Sequence, residues 1–240
     1  MRAYDPSLPL VSLDIPNTAD ASLRSTLADW FGNERLFLHY RGDQGEAPER
    51  FDLGPGHCVH GHFNRARGIG ALDYYPDASQ FVTFLREPFT RFVAQWRALQ
   101  KQQSLGVAVP ALDDSPTFAD WFARRVDAMA KGEDPFSFLA QLPREVAADN
   151  PSSAFDKDYV AVGIAEDYLS SVQALATTLG FAPPVALPYV NRPDDPTAEF
   201  SEWRKPHREA FALEYAVYEA GRARMLEGLA KHQAAYPSDL

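Results

Sequence analysis

The run Phe81-Val82-Thr83-Phe84-Leu85, followed at once by Arg86-Glu87-Pro88, constrains this chain more than any other stretch. A β-branched and aromatic run with no charged residue predicts a short strand buried on both faces. Pro88 suits the first position of a helix, where its missing N–H would have had no partner anyway. Phe89, Phe92, Val93, Trp96 and Leu99 then recur at three- and four-residue spacing, which gives that helix one apolar face. Arg91 sits in its first turn, where the helix dipole disfavours a cation by roughly 0.3–1 kcal/mol. With Arg86 at the strand end, it makes a candidate anion site at a helix N-terminus. Pairing of the two guanidinium groups with Glu87 or a distant carboxylate is the competing explanation.

Earlier in the chain, Leu10 to Ile15 predicts a first strand and Pro16 to Asp20 a turn. Ala21 to Phe31 predicts a helix with Leu23, Leu27 and Trp30/Phe31 on one side, ended by Gly32-Asn33. A strand, a turn and a helix start is how nucleotide folds hold phosphate on free backbone N–H groups. Asp20 as a plain helix cap is the structural alternative. Leu36 to Tyr40 reads as a strand, followed by a polar loop from Arg41 to Gly56.

His57-Cys58-Val59-His60-Gly61-His62-Phe63 comes next. If it is extended, Cys58, His60 and His62 share one face. A zinc-type site there needs a fourth ligand or a water, and no second Cys/His cluster follows at finger-like spacing. A structural pair of histidines is the plainer reading. Arg65 and Arg67 follow closely, either as holders of a charged ligand or as solvated side chains.

Beyond the central segment, Gln100 to Asp114 reads as a connection, and Ser115-Pro116-Thr117 as a helix start with proline at its first position. Residues 131–158 read as loops and short helical turns. Tyr159 to Ile164 predicts another buried strand, and a helix stopped by Gly180 follows Glu166-Asp167. Pro183, Pro184 and Pro188 lead to Asn191-Arg192-Pro193, and one long helix is expected from Pro206 onward. No repeat or domain boundary interrupts residues 1–240, so one domain is expected.

Composition narrows the classes of function. The formal charge is −10, from 23 Lys/Arg against 33 Asp/Glu. It is unevenly spread: residues 1–101 hold 11 basic and 12 acidic side chains, and residues 102–240 hold 12 and 21. That balance argues against nonspecific nucleic-acid binding and against a long polyanionic partner. The single cysteine, Cys58, allows no intrachain disulfide and fits a reducing compartment. With no leader-like or spanning apolar run, the expectation is a cytoplasmic protein with no membrane partner.

Arg86-x-Pro88-x-x-Arg91 after an apolar strand resembles the 3'-phosphate-binding segment of the sulfotransferase superfamily, nearest the branch that includes heparan sulfate 2-O-sulfotransferase. Ile15 to Arg24 resembles that family's 5'-phosphosulfate loop, matching at Pro16, Thr18, Ala19, Ser22, Leu23 and Arg24. His60-Gly61-His62 resembles its His-Gly-His stretch, and residues 162–171 and 214–218 resemble its late strand-helix unit and C-terminal helix. Three loop positions depart: Asn17 replaces a lysine, Asp20 a glycine and Ala21 a threonine. Ala94 replaces the serine that follows the second arginine.

The resemblance implies an α/β, three-layer P-loop-like domain with a mostly parallel central sheet. It implies sulfuryl transfer from 3'-phosphoadenosine 5'-phosphosulfate to a hydroxyl on a small-molecule or saccharide acceptor, without a metal. His62 is then the general base, a role suited to an unperturbed pKa of about 6.5, and His60 its auxiliary. Arg86, Arg91, Asn17, Thr18, Ser22 and Arg24 would contact the nucleotide, and Arg192 would lie near it. The missing lysine weakens stabilisation of the leaving group. A binding module for a nucleotide, a sugar or a protein, without transfer, is therefore the alternative. A metal-dependent hydrolase built on Cys58, His60 and His62 stands behind both.

Overall fold

Five short apolar runs become five strands, and every one of them pairs in parallel. The computed structural model describes residues 1–18, 20–41, 46–113, 115–184 and 197–235, with the Asp20 side chain excluded. The strands are β1 (Leu10–Leu13), β2 (Leu36–His39), β3 (Cys58–Gly61), β4 (Phe81–Leu85) and β5 (Tyr159–Ile164). The helices are α1 (Asp20–Phe31), α2 (Ala71–Tyr74), α3 (Pro88–Ser104), α4 (Pro110–Asp113), α5 (Phe118–Ala130), α6 (Tyr168–Leu179), α7 (Arg204–Ala210) and α8 (Ala212–Ala235). Strand order is β2-β3-β1-β4-β5, with β1 in the middle. The chain winds out to one side of β1 and then crosses to the other. Parallel sheets need both faces covered, and the residues comply. Val11, Leu13, Val59, Phe81 and Leu85 pack with Val217, Tyr218 and Met225 of α8 on one face. Leu10, Cys58, Val82 and Phe84 pack with α1 and α6 on the other.

A third apolar body lies beyond α3. Phe89, Phe92, Val93 and Trp96 meet Phe118, Trp121, Phe211 and Tyr215 there. This cluster accounts for a difference from the expected single C-terminal helix. The helix breaks at Phe211 (φ −111°, ψ 34°), which is buried and stacked on the His207 ring at 4.4 Å. A straight helix would not bring both rings inward. The start of α5 also shifts: Thr117, not Ser115, caps it through the Asp120 N–H, with Asp120 closing the reciprocal bond. Within 100–114, α3 runs on to Ser104 and α4 adds one further turn. The 183–193 loop lies almost wholly outside the described residues, Arg192 included.

No helix among the described residues is long and apolar enough to cross a membrane.

Two histidines are built into these cores as neutral rings. His39 is stacked on Phe63 at 4.4 Å and donates from Nδ1 to the Glu49 carbonyl at 3.1 Å. Burial pushes its pKa down to about 4. Burial, then the charges of Arg125, Arg204 and Arg91, push His207 down to about 3. Both folded values lie below the unfolded value of 6.5. The unfolded chain therefore binds protons that the folded chain refuses, and stability falls as pH drops below about 6.5. From pH 7 to pH 5 these two groups should remove on the order of 3 kcal/mol. Urea unfolding at the two pH values measures it, and His207→Gln should lose about half of the dependence.

Candidate active site at the carboxyl edge of the sheet

Parallel pairing brings the strand ends level. Leu13 faces Gly61 on one side and Thr83 on the other. The residues just past those ends converge where the chain changes direction across the sheet, the usual binding crevice of open α/β sheets. Asp14 follows β1, and its N–H donates to the Gly61 carbonyl at 2.8 Å. Its carboxylate is buried, only 4% exposed. The Tyr40 hydroxyl donates to Asp14 Oδ2 at 2.8 Å, and His62 Nε2 lies 3.2 Å from the same oxygen. His60 Nε2 stands 3.9 Å away, while its Nδ1 meets Ser12 Oγ at 2.9 Å. Burial alone would raise the Asp14 carboxyl. The His62 hydrogen bond, the charges of His60 and His62, and Tyr40 outweigh it, so the group lies below its ordinary value.

The two histidines are not equivalent. His60 is fully buried in β3, whereas the His62 side chain keeps 43% of its surface. With Nε2 turned to Asp14, the His62 ring leaves Nδ1 as its second nitrogen. Between them, Gly61 is demanded by packing: a Cβ there would stand 2.0 Å from the His39 carbonyl oxygen. Cys58 does not join them as a ligand. It is buried among apolar side chains, which pushes its thiol well up and keeps it protonated. Among the described residues no group of three or more His, Cys, Asp or Glu is placed to hold a metal ion.

On the other flank of Asp14 lies the turn before α1. Thr18 donates to the Ile15 carbonyl at 2.6 Å and is 2% exposed, so its hydroxyl braces the turn from within. Asn17 has φ +70°, a left-handed conformation that asparagine tolerates better than most residues. Arg86 Nη1 donates to its carbonyl oxygen at 3.1 Å, tying the end of β4 to the turn. Burial lowers the Arg86 pKa, and Glu166 and Glu87 work against that. Ser22 is half-buried on α1, and Ala19 lies outside the described residues. Arg24 is exposed and lines a separate groove with Leu36 and Leu38 of β2, away from Arg86.

Arg91 departs from the expected anion site. It is 1% exposed and faces the interior. Its Nη2 donates to the Phe136 carbonyl at 2.9 Å, and its guanidinium lies 5.8 Å from the Phe138 ring centroid. Glu214, fully buried on α8, accepts from Ser137 Oγ at 2.5 Å. Burial pushes Glu214 up against the pull of Arg91, Ser137 and Arg125. Burial likewise pushes Arg91 down to about 10, with Glu214 opposing. Arg125 completes the cluster with two 2.8 Å contacts to Asp134 and one at 3.1 Å to Gln95. The second arginine of the motif thus holds the 134–138 segment from behind. The arginine in the first turn serves the Phe136 carbonyl, with Glu214 of α8 in its electrostatic surroundings.

That segment forms one wall of a cleft of about 360 Å³ beside His62. Pro16 and Asn17 also line it, as do Gln95 and Gln102 of α3. Arg41, Asn64 and Arg67 line it as well. Sequence reasoning did not single out Asp14, Tyr40 or Asn64. A carboxylate closing an otherwise buried strand was the available signal, since such a group needs donors. Comparison with the models of known protein families finds none that matches this chain, and no curated protein matches it either.

The interior role of Arg91 makes a direct prediction. Arg91→Ala removes the bond to the Phe136 carbonyl and a buried cation that favours ionised Glu214, and should cost roughly 3–5 kcal/mol, about 10 °C in thermal midpoint. Arg91→Met with Glu214→Gln should recover most of that loss. An effect no larger than that of the exposed Lys101→Ala would refute the assignment.

Proposed function

We propose that this chain is a sulfotransferase-type enzyme that activates an acceptor hydroxyl at His62 and takes a sulfuryl group from 3'-phosphoadenosine 5'-phosphosulfate. The observation that supports it is the His62–Asp14 contact of 3.2 Å at the edge of the cleft. Asp14 Oδ2 stands 3.2 Å from His62 Nε2; a proton held on that nitrogen would leave the Nδ1 lone pair to take one from the acceptor. Tyr40 shares the same carboxylate oxygen and restrains it. The nucleotide fits the chain in part. Arg86, the Asn17 turn and Ser22 are the groups that would hold it, with Arg91 and Thr18 engaged internally. Bound there, it supplies an activated sulfuryl group. Asn17 would contribute hydrogen bonding without charge, so slow turnover is expected.

A second reading, a binding module without transfer, is favoured by the burial of Arg91 and by the uncharged Asn17. Titration with 3'-phosphoadenosine 5'-phosphate, read by calorimetry, tests the nucleotide site. Binding should weaken by about tenfold or more in Arg86→Ala, the loss typical of one charge-assisted hydrogen bond. Labelled sulfate transfer to a panel of phenols and sugars then tests the chemistry. His62→Gln should reduce it by roughly 10²–10⁴-fold. Nucleotide binding without any transfer would leave the second reading standing, and no nucleotide binding would remove the transfer reading and confine the second to a sugar or protein ligand.

A further inference from the structure

The cleft beside His62 differs in charge from the rest of the molecule. The chain carries 33 Asp/Glu, yet no carboxylate is found among the described residues that line this cleft, whereas two arginines are. Arg65 and Arg67, two residues apart in sequence, are separated by the fold. Arg65 donates to the Leu139 and Leu142 carbonyls and meets Glu145, so it serves the 139–145 segment. Arg67 is turned to the cleft, its guanidinium 5.4 Å from the Phe136 ring centroid. Asn64 and Ile69 exchange backbone hydrogen bonds of 2.8 and 3.0 Å, which closes the short turn that carries Arg67.

Neither Arg41 nor Arg67 forms an ion pair among the described residues. They stand close enough that Arg41 lowers the Arg67 pKa, after burial, with only Asp134 opposing. Asp134 is already engaged by Arg125 and by the Phe136 N–H at 3.0 Å. Two neighbouring cations that form no ion pair among the described residues favour an anion between them. A second observation is independent of charge. Asn64 is 7% exposed and its amide donates to the Pro135 carbonyl at 2.8 Å, which fixes its orientation. Its Oδ1 is buried without a partner and therefore requires a donor. Phe63, Ile69, Leu99 and Phe136 give the cleft apolar lining beside the amides of Gln95, Gln102 and Gln141.

We infer that the acceptor is a small amphiphilic molecule with an anionic group held by Arg41 and Arg67, a hydrogen-bond donor for Asn64 Oδ1, and an apolar body against Leu99 and Phe136. This rests on the proposed hydroxyl activation at His62 for its chemical meaning, but not for its binding test. A cleft of about 360 Å³ suits one small molecule better than a polymer.

The probes are 4-hydroxybenzoate and its methyl ester, titrated by calorimetry without nucleotide. The wild type should bind the acid about tenfold more tightly than the ester, since charge-assisted pairing supplies the difference. Arg41→Gln/Arg67→Gln should bring the ratio near one, Arg67→Lys should retain part of it, and Ala98→Trp should block both probes. Thermal unfolding of each variant checks that it folds. Equal binding of acid and ester, no binding of either, an unchanged ratio in the double variant, or undiminished binding in Ala98→Trp would each overturn the inference. Acid preference without sulfate transfer would sink the transfer reading alone. Transfer to the ester as efficient as to the acid would sink the inference alone.

Discussion

A carboxylate enclosed at the end of the central strand sets the terms for the surrounding structure. Asp14 has left water, and a buried charge without donors is costly enough to disfavour the fold. Tyr40 beyond β2 and His62 beyond β3 supply those contacts, and the backbone of Asp14 is itself tied to Gly61. One side chain thus couples three neighbouring strands at the edge where their loops diverge. The contacts that Tyr40 and His62 make fall on Asp14 Oδ2, while Oδ1 is buried without a partner.

Behind this edge, a second group of buried charges governs shape. Arg91, Glu214, Arg125 and Asp134 come from α3, α8, α5 and the loop after α5. Their hydrogen bonds converge on residues 134–137, and Phe136 is held from both sides by its carbonyl and its N–H. Since Pro135 and Phe136 form a wall of the cleft, the interior cluster shapes a site that it does not touch. Buried ion networks of this kind add little net stability over apolar packing, but removing one member is costly.

Much of the fold was legible in particular residues. Phe81–Leu85 and Tyr159–Ile164 have the bounds expected of them, because uninterrupted apolar runs admit few other structures. Pro88 and Gly180 mark a helix start and a helix end by local stereochemistry alone. The break at Phe211 was not legible, because the helical pattern continues through it and only the aromatic cluster around α3 and α5 pulls the ring inward. Asn17 is a partial case. Its left-handed backbone gives a local reason for asparagine there, separate from any ligand.

By itself the sequence determined the buried strands, several helix limits and the nearness of two histidines along one strand, since periodicity and turn chemistry act over a few residues. The parallel sheet was an expectation from the family resemblance. Only the tertiary structure decided which charges face outward. Arg65 and Arg67 are two residues apart yet serve different segments, and Arg91 turns inward to the Phe136 carbonyl, 45 residues away in the chain. The direction of a long charged side chain depends on the dielectric and the partners around its tip, and those are supplied by elements remote in sequence.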